Sequence, residues 1–510
     1  MKIDLKKIYN KLLADTVWGP ECRLIIDLAR SGSFRPLVVG GAVRDLILDR
    51  KISDIDIVTE KSGTAKKLAS DFARASNRKL IEYSHEQTIY RVVAQNAPQI
   101  DFTDPVGGTL ETDLLRRDFT INSMALALTG ENAGVIIDPS NGLKDLSNGI
   151  IRASNENVFD DDPLRMLRAF RFAAELGFKI DIATFDAIKP KVAKLGGVAG
   201  ERIQLELLAI MAPDGLSERI MSMDDTGIWN VLFPEIGKQK NCDQNAYHHL
   251  DVWRHSIESI RELERILKLD EKILAPFKER LREYVDYVYP SGHKRVSLMK
   301  LAMFLHDIAK PHCKGAREDG RITFIGHEKL GSEFVYEYLD RLKFPNYEKD
   351  FVRDIIKGHL RPIAVSMEQA NKFKAAYGFV KAYGDTSTAI TLVSLADRYA
   401  AQGPLVTEEI NDSHRDAVKF LLECFFERSG VAIRPPQIID GNTLMRELKI
   451  ESGPIIGYLI NRVHEEQVMG QLKTTEDALE FCRRIISGEE KVIEADSEPS
   501  EKSTRSEELD

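Results

Sequence analysis

The stretch LVVGGAVRDLILDRKISDIDIVTE, Leu37–Glu60, constrains this chain more tightly than any other. Leu37-Val38-Val39 reads as a buried strand, Gly40-Gly41 breaks it, and Ala42–Leu48 reads as a short helix with Val43, Leu46 and Ile47 on one side. DIDIVT then alternates aspartate with β-branched residues, the period of a strand with one polar face. That period points Asp54 and Asp56 the same way, roughly 7 Å apart. Carboxylates held so close repel unless a cation lies between them, and a hard divalent ion such as Mg²⁺ suits oxygen ligands. Taken singly, a Gly-Gly turn is a packing turn and an Asp-x-Asp pair is a solvated strand face. Together they set backbone N–H groups for a triphosphate beside carboxylates for its metal, which suits nucleotidyl transfer.

At 510 residues the chain should hold three or four domains. Apolar residues at 43% and charged residues at 30% describe a chain with ample core material. No apolar run approaches the roughly 20 residues that span a membrane. MKIDLKKIYNKLLADTVWG reads as an amphipathic helix of mixed charge without a secretory apolar core. The 5 cysteines are widely spaced and form no C-x-x-C pair, so reduced thiols and a cytoplasmic setting are expected. The net charge of -9 argues against a nucleic-acid partner only if it is evenly spread. Residues 489–510 hold nine acids against three bases, so about -3 remains for the rest. That acidic tail, almost without large apolar residues, is expected to be disordered.

From about residue 20 to 150 short strands and helices alternate, with strand candidates PLVVG, DIDIVT, TIYRVVAQ, PQIDFT, SMALAL and GVIIDP. After Asp160 helical periodicity dominates to about residue 487. Boundaries are expected near Gly149, near Pro213-Asp214-Gly215 and around Gly403. A mixed α/β head followed by a long all-helical body is the architecture implied.

In APQIDFTDP, Asp101 alternates with Ile100 and Phe102 and becomes a candidate third acid facing Asp54 and Asp56. Further on, DLLRRDFTINSMAL offers Arg116 and Arg117 to phosphate oxygens, while Asp118 accepts a ribose hydroxyl or fixes an arginine. In FDDDPLRMLRAFRF, Arg165, Arg168 and Arg171 recur every three residues and fan across one side of a helix. Asp162 precedes Pro163, which suits a first helical turn, and lies one turn from Arg165. Such a pair offers an acceptor and donors to a base edge. By spacing alone an ordinary amphipathic helix with solvated arginines is the better explanation.

GGAVRD with DID, RRDFTINSMAL, DPSNGLKDLSNGIIR, DDPLRMLRAFRFAAELGF and ERIQLELLAIM follow one another in order over roughly residues 20–212. They resemble the successive signatures of class II tRNA nucleotidyltransferases and the related bacterial poly(A) polymerases. The resemblance implies a DNA-polymerase-β-like head with a mixed sheet, then a helical neck, body and tail. It implies growth of a tRNA 3′ end to CCA from CTP and ATP, with Mg²⁺ held by Asp54 and Asp56. Asp162 and Arg165 match the family's E-D-x-x-R element for nucleotide selection, with Asp161 where Glu is usual. Gly41, Arg44 and Arg116 match triphosphate contacts, and Arg168 and Arg171 would reach the triphosphate or the tRNA.

The helical body carries a second constellation: His255 in DVWRHSIESI, His306-Asp307 in LAMFLHDIAKP, and Asp397 in LVSLADRYA. His327 and His359 fall between them. Adjacent His306 and Asp307 can share one metal, with His255 and Asp397 completing the site. Residues of about 245–400 resemble the HD metal-dependent phosphohydrolase superfamily, which implies a divalent transition metal or Mg²⁺ and hydrolysis of a phosphoester such as a 2′,3′-cyclic phosphate. In that superfamily His327 and His359 match ligands of a second metal or of substrate phosphate.

The organisation expected is an N-terminal helix (1–19), head (20–150), neck (151–215), body (216–400), tRNA-binding tail (401–488) and acidic tail (489–510). Only fourteen residues separate Asp101 from Arg116, where many CCA-adding members carry a longer flexible loop. A partial CC-adding or A-adding enzyme therefore stays open beside the full CCA reading. A poly(A) polymerase shares the head but usually lacks the HD body, and a non-catalytic RNA-binding scaffold would need neither the aspartates nor the arginines.

Overall fold

Residues 5–32, 34–84, 88–95, 97–367, 372–427, 437–468 and 470–488 are described by a computed structural model of the chain. The expected disorder of the acidic tail, Met1–Asp4 of the first helix and residues 428–436 and 469 of the tail segment lie outside them. The chain divides into two compact units, Met1–Val198 and Ala199–Asp510.

The first unit opens with helices α1 (Leu5–Ala14) and α2 (Trp18–Gly32). Then come β1 (Pro36–Val39), α3 (Gly41–Ile47), β2 (Ile55–Thr59), α4 (Ala65–Ala75), β3 (Lys79–Ser84), β4 (Thr88–Ala94) and β5 (Ala97–Thr103). Helix α5 (Leu110–Leu115), β6 (Ala125–Ala127), β7 (Ile136–Ile137) and α6 (Gly142–Asn148) complete the head. Its 7-stranded sheet runs β3-β4-β5-β2-β1-β6-β7. It is mixed: β2 pairs β5 in parallel, and the neighbours on either side are antiparallel. All four residues of β1 are buried, as its apolar run requires. One face of the sheet packs Leu37, Val39, Val58 and Ala125 on Leu110 and Leu114 of α5. On α4 the fully buried Phe72 meets Phe102 of β5 at 5.5 Å.

Gly40 turns β1 into α3 with φ +73, and a Cβ there would sit 2.8 Å from the Arg117 guanidinium. Only glycine allows both. In the neck, α7 (Val158–Asp161) precedes α8 (Arg165–Leu176), whose buried face is Met166, Leu167, Ala169, Phe170 and Phe172. Gly177 closes α8 in the left-handed conformation.

The described residues of the second unit are mostly helical, with a two-stranded pairing of Gly315–Ala316 with Ile322–Thr323 and a single bridge between Val288 and Lys294. Helices Val252–Ile266, Arg295–Leu305, His327–Arg341, Asn346–Gly358 and Thr386–Ala400 bring the body's histidines together. Ten of the eleven residues of Arg295–Leu305 are buried, which makes it the unit's central helix. Among them Lys300 is 1% exposed and ion-pairs with Glu264 at 2.9 Å. Helices Gly441–Leu448, Pro454–Val468 and Thr475–Ser487 share a separate core of Leu444, Leu459, Val463, Phe481 and Ile485.

Candidate active sites

Asp56 and Asp101 are register partners across the parallel β2–β5 pairing. Asp54 lies one residue before β2, exposed at its mouth rather than on the strand as the alternation suggests. The three acids still converge. Burial pushes the Asp56 carboxyl up, the neighbouring Asp54 charge pushes it further, and together with Asp101 they raise it to about 6 against the pull of Arg117 and Arg91. Two ionised carboxylates that raise a third are an electrostatic demand for a cation. Asp101 is gripped by Arg91 of β4, Nε to Oδ1 at 2.8 Å and Nη2 to Oδ2 at 2.7 Å.

Asp113 on α5, with a side chain 1% exposed, holds the arginine turn. It accepts from Arg116 at 2.8 Å, from Arg117 at 3.0 Å and from the Val106 N–H at 3.2 Å. Arg44 on α3 pairs with Asp45 at 2.9 Å and donates to Asn122 Oδ1 at 2.8 Å. The Asn122 amide donates in turn to buried Asp118 at 3.0 Å, and Arg168 of α8 pairs with Asp118 at 2.6 Å. Burial opposes ionisation of Asp118, but the Arg168 charge and the amide hold its carboxyl below the usual range. Of the two roles open to Asp118, fixing an arginine is what its contacts provide. Arg171 pairs with Glu175 at 3.0 Å, and Gly41 opens α3 with the Arg44 guanidinium above it.

Asp162 and Arg165 are joined across the turn that leads into α8, the Asp162 carbonyl accepting the Arg165 N–H at 3.0 Å. Asp162 is extended, φ -147 and ψ 102, and stands outside α8. Pro163 clashes with a helical residue before it, so Asp162 begins the turn into α8 from an extended position just outside it. Its carboxylate accepts the Leu164 N–H at 3.1 Å. Arg165 donates to the Arg116 carbonyl at 3.2 Å and the Val158 carbonyl at 3.4 Å, so it holds the arginine turn against the neck.

In the second unit His255, His306, Asp307, His327, His359 and Asp397 come from five helices or their ends, and all but Asp397 are fully or almost fully buried. His255 Nε2 lies 2.8 Å from Asp397, and His306 Nε2 lies 3.2 Å from Asp307 and 3.5 Å from Asp397. His327 Nε2 is 3.3 Å from Asp307. Two groups, His255-His306-Asp397 and His306-Asp307-His359, each bring three ligand atoms within 4.8 Å of one another. His306, His327 and His359 all anchor Nδ1 on the carbonyl three residues earlier, at 2.8, 2.8 and 2.6 Å. A carbonyl can only accept, so Nδ1 carries the proton and Nε2 turns inward, as metal-ligating histidines are held.

The electrostatics agree. Burial opposes charge on Asp307, but His306 and Lys310 hold its carboxyl well below the usual range. Burial pushes His359 down to about 3, assisted by His306 and His327. His306 Nε2 and both Asp307 oxygens are buried without a hydrogen bond of good geometry, so the donor set fits a divalent cation. A pocket of about 40 Å³ beside them is lined by His248, Lys310, His327, Asp397 and Arg398. Sequence reasoning passed over Arg91, Asn122 and Lys310. A lone arginine inside the apolar strand TIYRVVAQ was the available signal for the first. For Lys310 it was a lysine one turn after Asp307, whose Nζ lies 2.8 Å from Asp307.

A carboxylate cluster on a mixed sheet beside a helical neck, followed by a histidine-aspartate body, defines a nucleotidyltransferase head joined to an HD domain. Comparison with known proteins agrees. Residues 37–152 match the poly A polymerase head domain, 177–239 the probable RNA and SrmB-binding site of polymerase A, and 252–402 the HD domain. The chain is 28% identical over 454 residues to the A-adding tRNA nucleotidyltransferase of Deinococcus radiodurans, covering 88% of this chain and 94% of that one. It is 30% identical over 339 residues to the multifunctional CCA protein of Actinobacillus pleuropneumoniae, covering 63% and 74%. The fold matches the Thermotoga maritima CCA-adding enzyme complexed with tRNA, with a TM-score of 0.65 at 24% identity over 95% of this chain and 100% of that one. The chain belongs to the tRNA nucleotidyltransferase and poly(A) polymerase family, with an HD domain. Both halves belong to metal-dependent families. Among the described residues no helix is long and apolar enough to cross a membrane.

Proposed function

We propose that this chain is a cytoplasmic tRNA nucleotidyltransferase that builds or repairs the 3′-terminal CCA of tRNA from CTP and ATP. The observation that carries the reading is the convergence of Asp54, Asp56 and Asp101, which raises Asp56 to about 6 beside the arginine turn. Asp54 and Asp56 would hold Mg²⁺, which when bound acidifies the tRNA 3′-hydroxyl and neutralises triphosphate charge. Asp101, fixed by Arg91, completes the acidic wall. Arg44, Arg116, Arg168 and Arg171 bind phosphate oxygens, and the α3 N-terminus at Gly41 offers backbone N–H groups to the same charge. The 3′-oxygen attacks the α-phosphorus, its bond to the bridging oxygen breaks, and pyrophosphate leaves. Positioning and charge neutralisation supply most of the acceleration. Asp162 and Arg165 select the base from the neck, and the tail segment 401–488 grips the tRNA.

In the second unit His255, His306, Asp307 and Asp397 would hold a divalent transition metal or Mg²⁺, which supplies an activated water for phosphoester hydrolysis. His327 and Lys310 line the pocket beside them and receive the substrate phosphate, and His327 with His359, which lies beside His306 and Asp307, would hold a second ion. A terminal or 2′,3′-cyclic phosphate of damaged tRNA is the substrate proposed.

A partial reaction is favoured by one observation. The short segment after β5 is tied at both ends, by Asp104 to Thr59 and the α4 N-terminus, and by Asp113 to Val106 and both arginines. It therefore lacks the length and freedom of the loop that many CCA-adding members carry. One assay decides both readings: purified protein is incubated with tRNA lacking CCA, in CTP, ATP or both, and the products are sized. Growth by three nucleotides supports the full reaction, and growth by one or two supports the partial one. No growth by wild type on this tRNA or on tRNA ending in CC, or equal growth by Asp56→Ala, would overturn the assignment.

A further inference from the structure

Phe172 on α8 is 4% exposed and touches Phe119 edge-on at 5.8 Å, as an ordinary core residue would. What surrounds the rest of its ring is not ordinary. The guanidinium carbons of Arg44, Arg168 and Arg171 lie 5.1, 5.2 and 4.1 Å from the ring centre. Arg44 comes from the head helix α3 and the other two from the neck. Three like charges around one side chain repel. Each is steadied from outside by its own carboxylate, Asp45, Asp118 and Glu175 respectively. The ring meets all three, and its negative faces attract cations most strongly where water is excluded.

We infer that Phe172 is a positioning residue that holds Arg44, Arg168 and Arg171 convergent, so that the three meet the phosphates of an incoming nucleoside triphosphate already in place. The inference rests on the assignment of these arginines to the triphosphate. Leucine would fill much of the same space with no charge on its face. Tyrosine and tryptophan keep the face.

The test is steady-state incorporation of CTP into tRNA lacking CCA by the full chain. Phe172→Leu is expected to raise the KM for CTP about tenfold, the effect of losing one desolvated cation–π contact or its equivalent. Its KM for tRNA should stay within about twofold of wild type, since only nucleotide binding is disturbed. Phe172→Tyr should restore the KM for CTP. An unchanged KM for CTP in Phe172→Leu, or a tyrosine variant as impaired as the leucine one, would overturn the inference. Should the leucine variant not fold, mono-, di- and trifluorinated phenylalanine at position 172 keep the shape while draining charge from the ring. The KM for CTP should climb along that series at constant thermal midpoint, and a flat series overturns the proposal. An Arg168→Ala enzyme with wild-type KM for CTP would instead remove the phosphate assignment beneath it, a failure the fluorine series does not share.

Discussion

Arg91 and Asp101 are register partners on antiparallel β4 and β5, and their side chains form a bidentate pair at 2.8 and 2.7 Å. The pair belongs to the acidic site, because Asp101 adds to the charge that raises Asp56 and Arg91 subtracts from it. Arg91→Met would leave Asp101 without its bidentate partner and free to turn. Incorporation should fall by roughly 10- to 100-fold in kcat, as when a group fixing a reacting centre is lost. The pair is partly exposed, so the accompanying loss of stability should be only about 1–2 kcal/mol. Single-turnover incorporation and urea unfolding measure the two separately. A variant with wild-type kcat would leave Asp101 as a strand-end acid with no catalytic part.

Much of the head was legible because its strands are short apolar runs with clear breaks, from PLVVG to PQIDFT. β3 was not, since Lys79 and Glu82 interrupt the pattern of KLIEYS and its pairing with β4 supplies what its composition lacks. The acid positions could be read from alternation on β2 and β5. Their convergence could not, because it depends on a parallel pairing between segments some forty-five residues apart. The start of α8 was legible at Asp162-Pro163. Pro163 dictates an extended residue before it, and the carbonyl of that residue accepts the Arg165 N–H one turn on. In the body the histidine order was visible in the sequence, whereas the carbonyls of Met303, Phe324 and Ile356 that aim each ring were invisible to any side-chain pattern.

Arg165 joins the neck to the arginine turn through the Arg116 and Val158 carbonyls. Base selection by this element predicts that Arg165→Ile admits UTP and GTP while tRNA affinity stays near wild type. A site that pairs every hydrogen-bonding group of the right base rejects the wrong one by about 10⁴-fold, so the relaxation should be plain. Competition between CTP and UTP, read on a sequencing gel, measures it. Full exclusion of UTP and GTP by the variant would place base reading elsewhere and leave Arg165 as a brace.

His414 gives the second unit a pH dependence of its own. It is buried on helix Glu408–Phe426, and its Nε2 donates to the Ser394 carbonyl at 3.2 Å. Burial, then the Arg398 charge, pushes its pKa down to about 4. The unfolded chain therefore takes up this proton before the folded one does. The stability is complete above the unfolded value near 6.5 and is lost as pH falls from there towards 4, at about 1.4 kcal/mol per unit. His414→Gln keeps a donor and removes the titration. Urea midpoints at pH 7.5 and 5 should fall less for this variant than for wild type. Equal falls would mean that other groups carry the acid sensitivity.

The last prediction separates the two chemistries. His306 and Asp307 belong to the unit Ala199–Asp510, and the three acids and the arginine turn to Met1–Val198. If each unit holds its own ion, His306→Ala should eliminate hydrolysis of 2′,3′-cyclic phosphate and leave CTP incorporation intact. His306 Nε2 takes part in both three-ligand groups, so its loss opens both at once. The remaining donors cannot close either shell, and affinity for the ion should drop by roughly 10- to 100-fold or more. The same change removes the imidazole beside two buried carboxylates, Asp307 and Asp397, and with it a ligand of the ion that would balance them, which is costly to folding. Circular dichroism and tRNA binding recorded beside both activities distinguish a folded, hydrolytically dead enzyme from an unfolded body. His306→Asn, which preserves a neutral donor of smaller size, covers the case in which alanine does not fold. A folded variant of either kind with undiminished hydrolysis would show that the histidine-aspartate cluster is structural and that any phosphoesterase activity arises elsewhere.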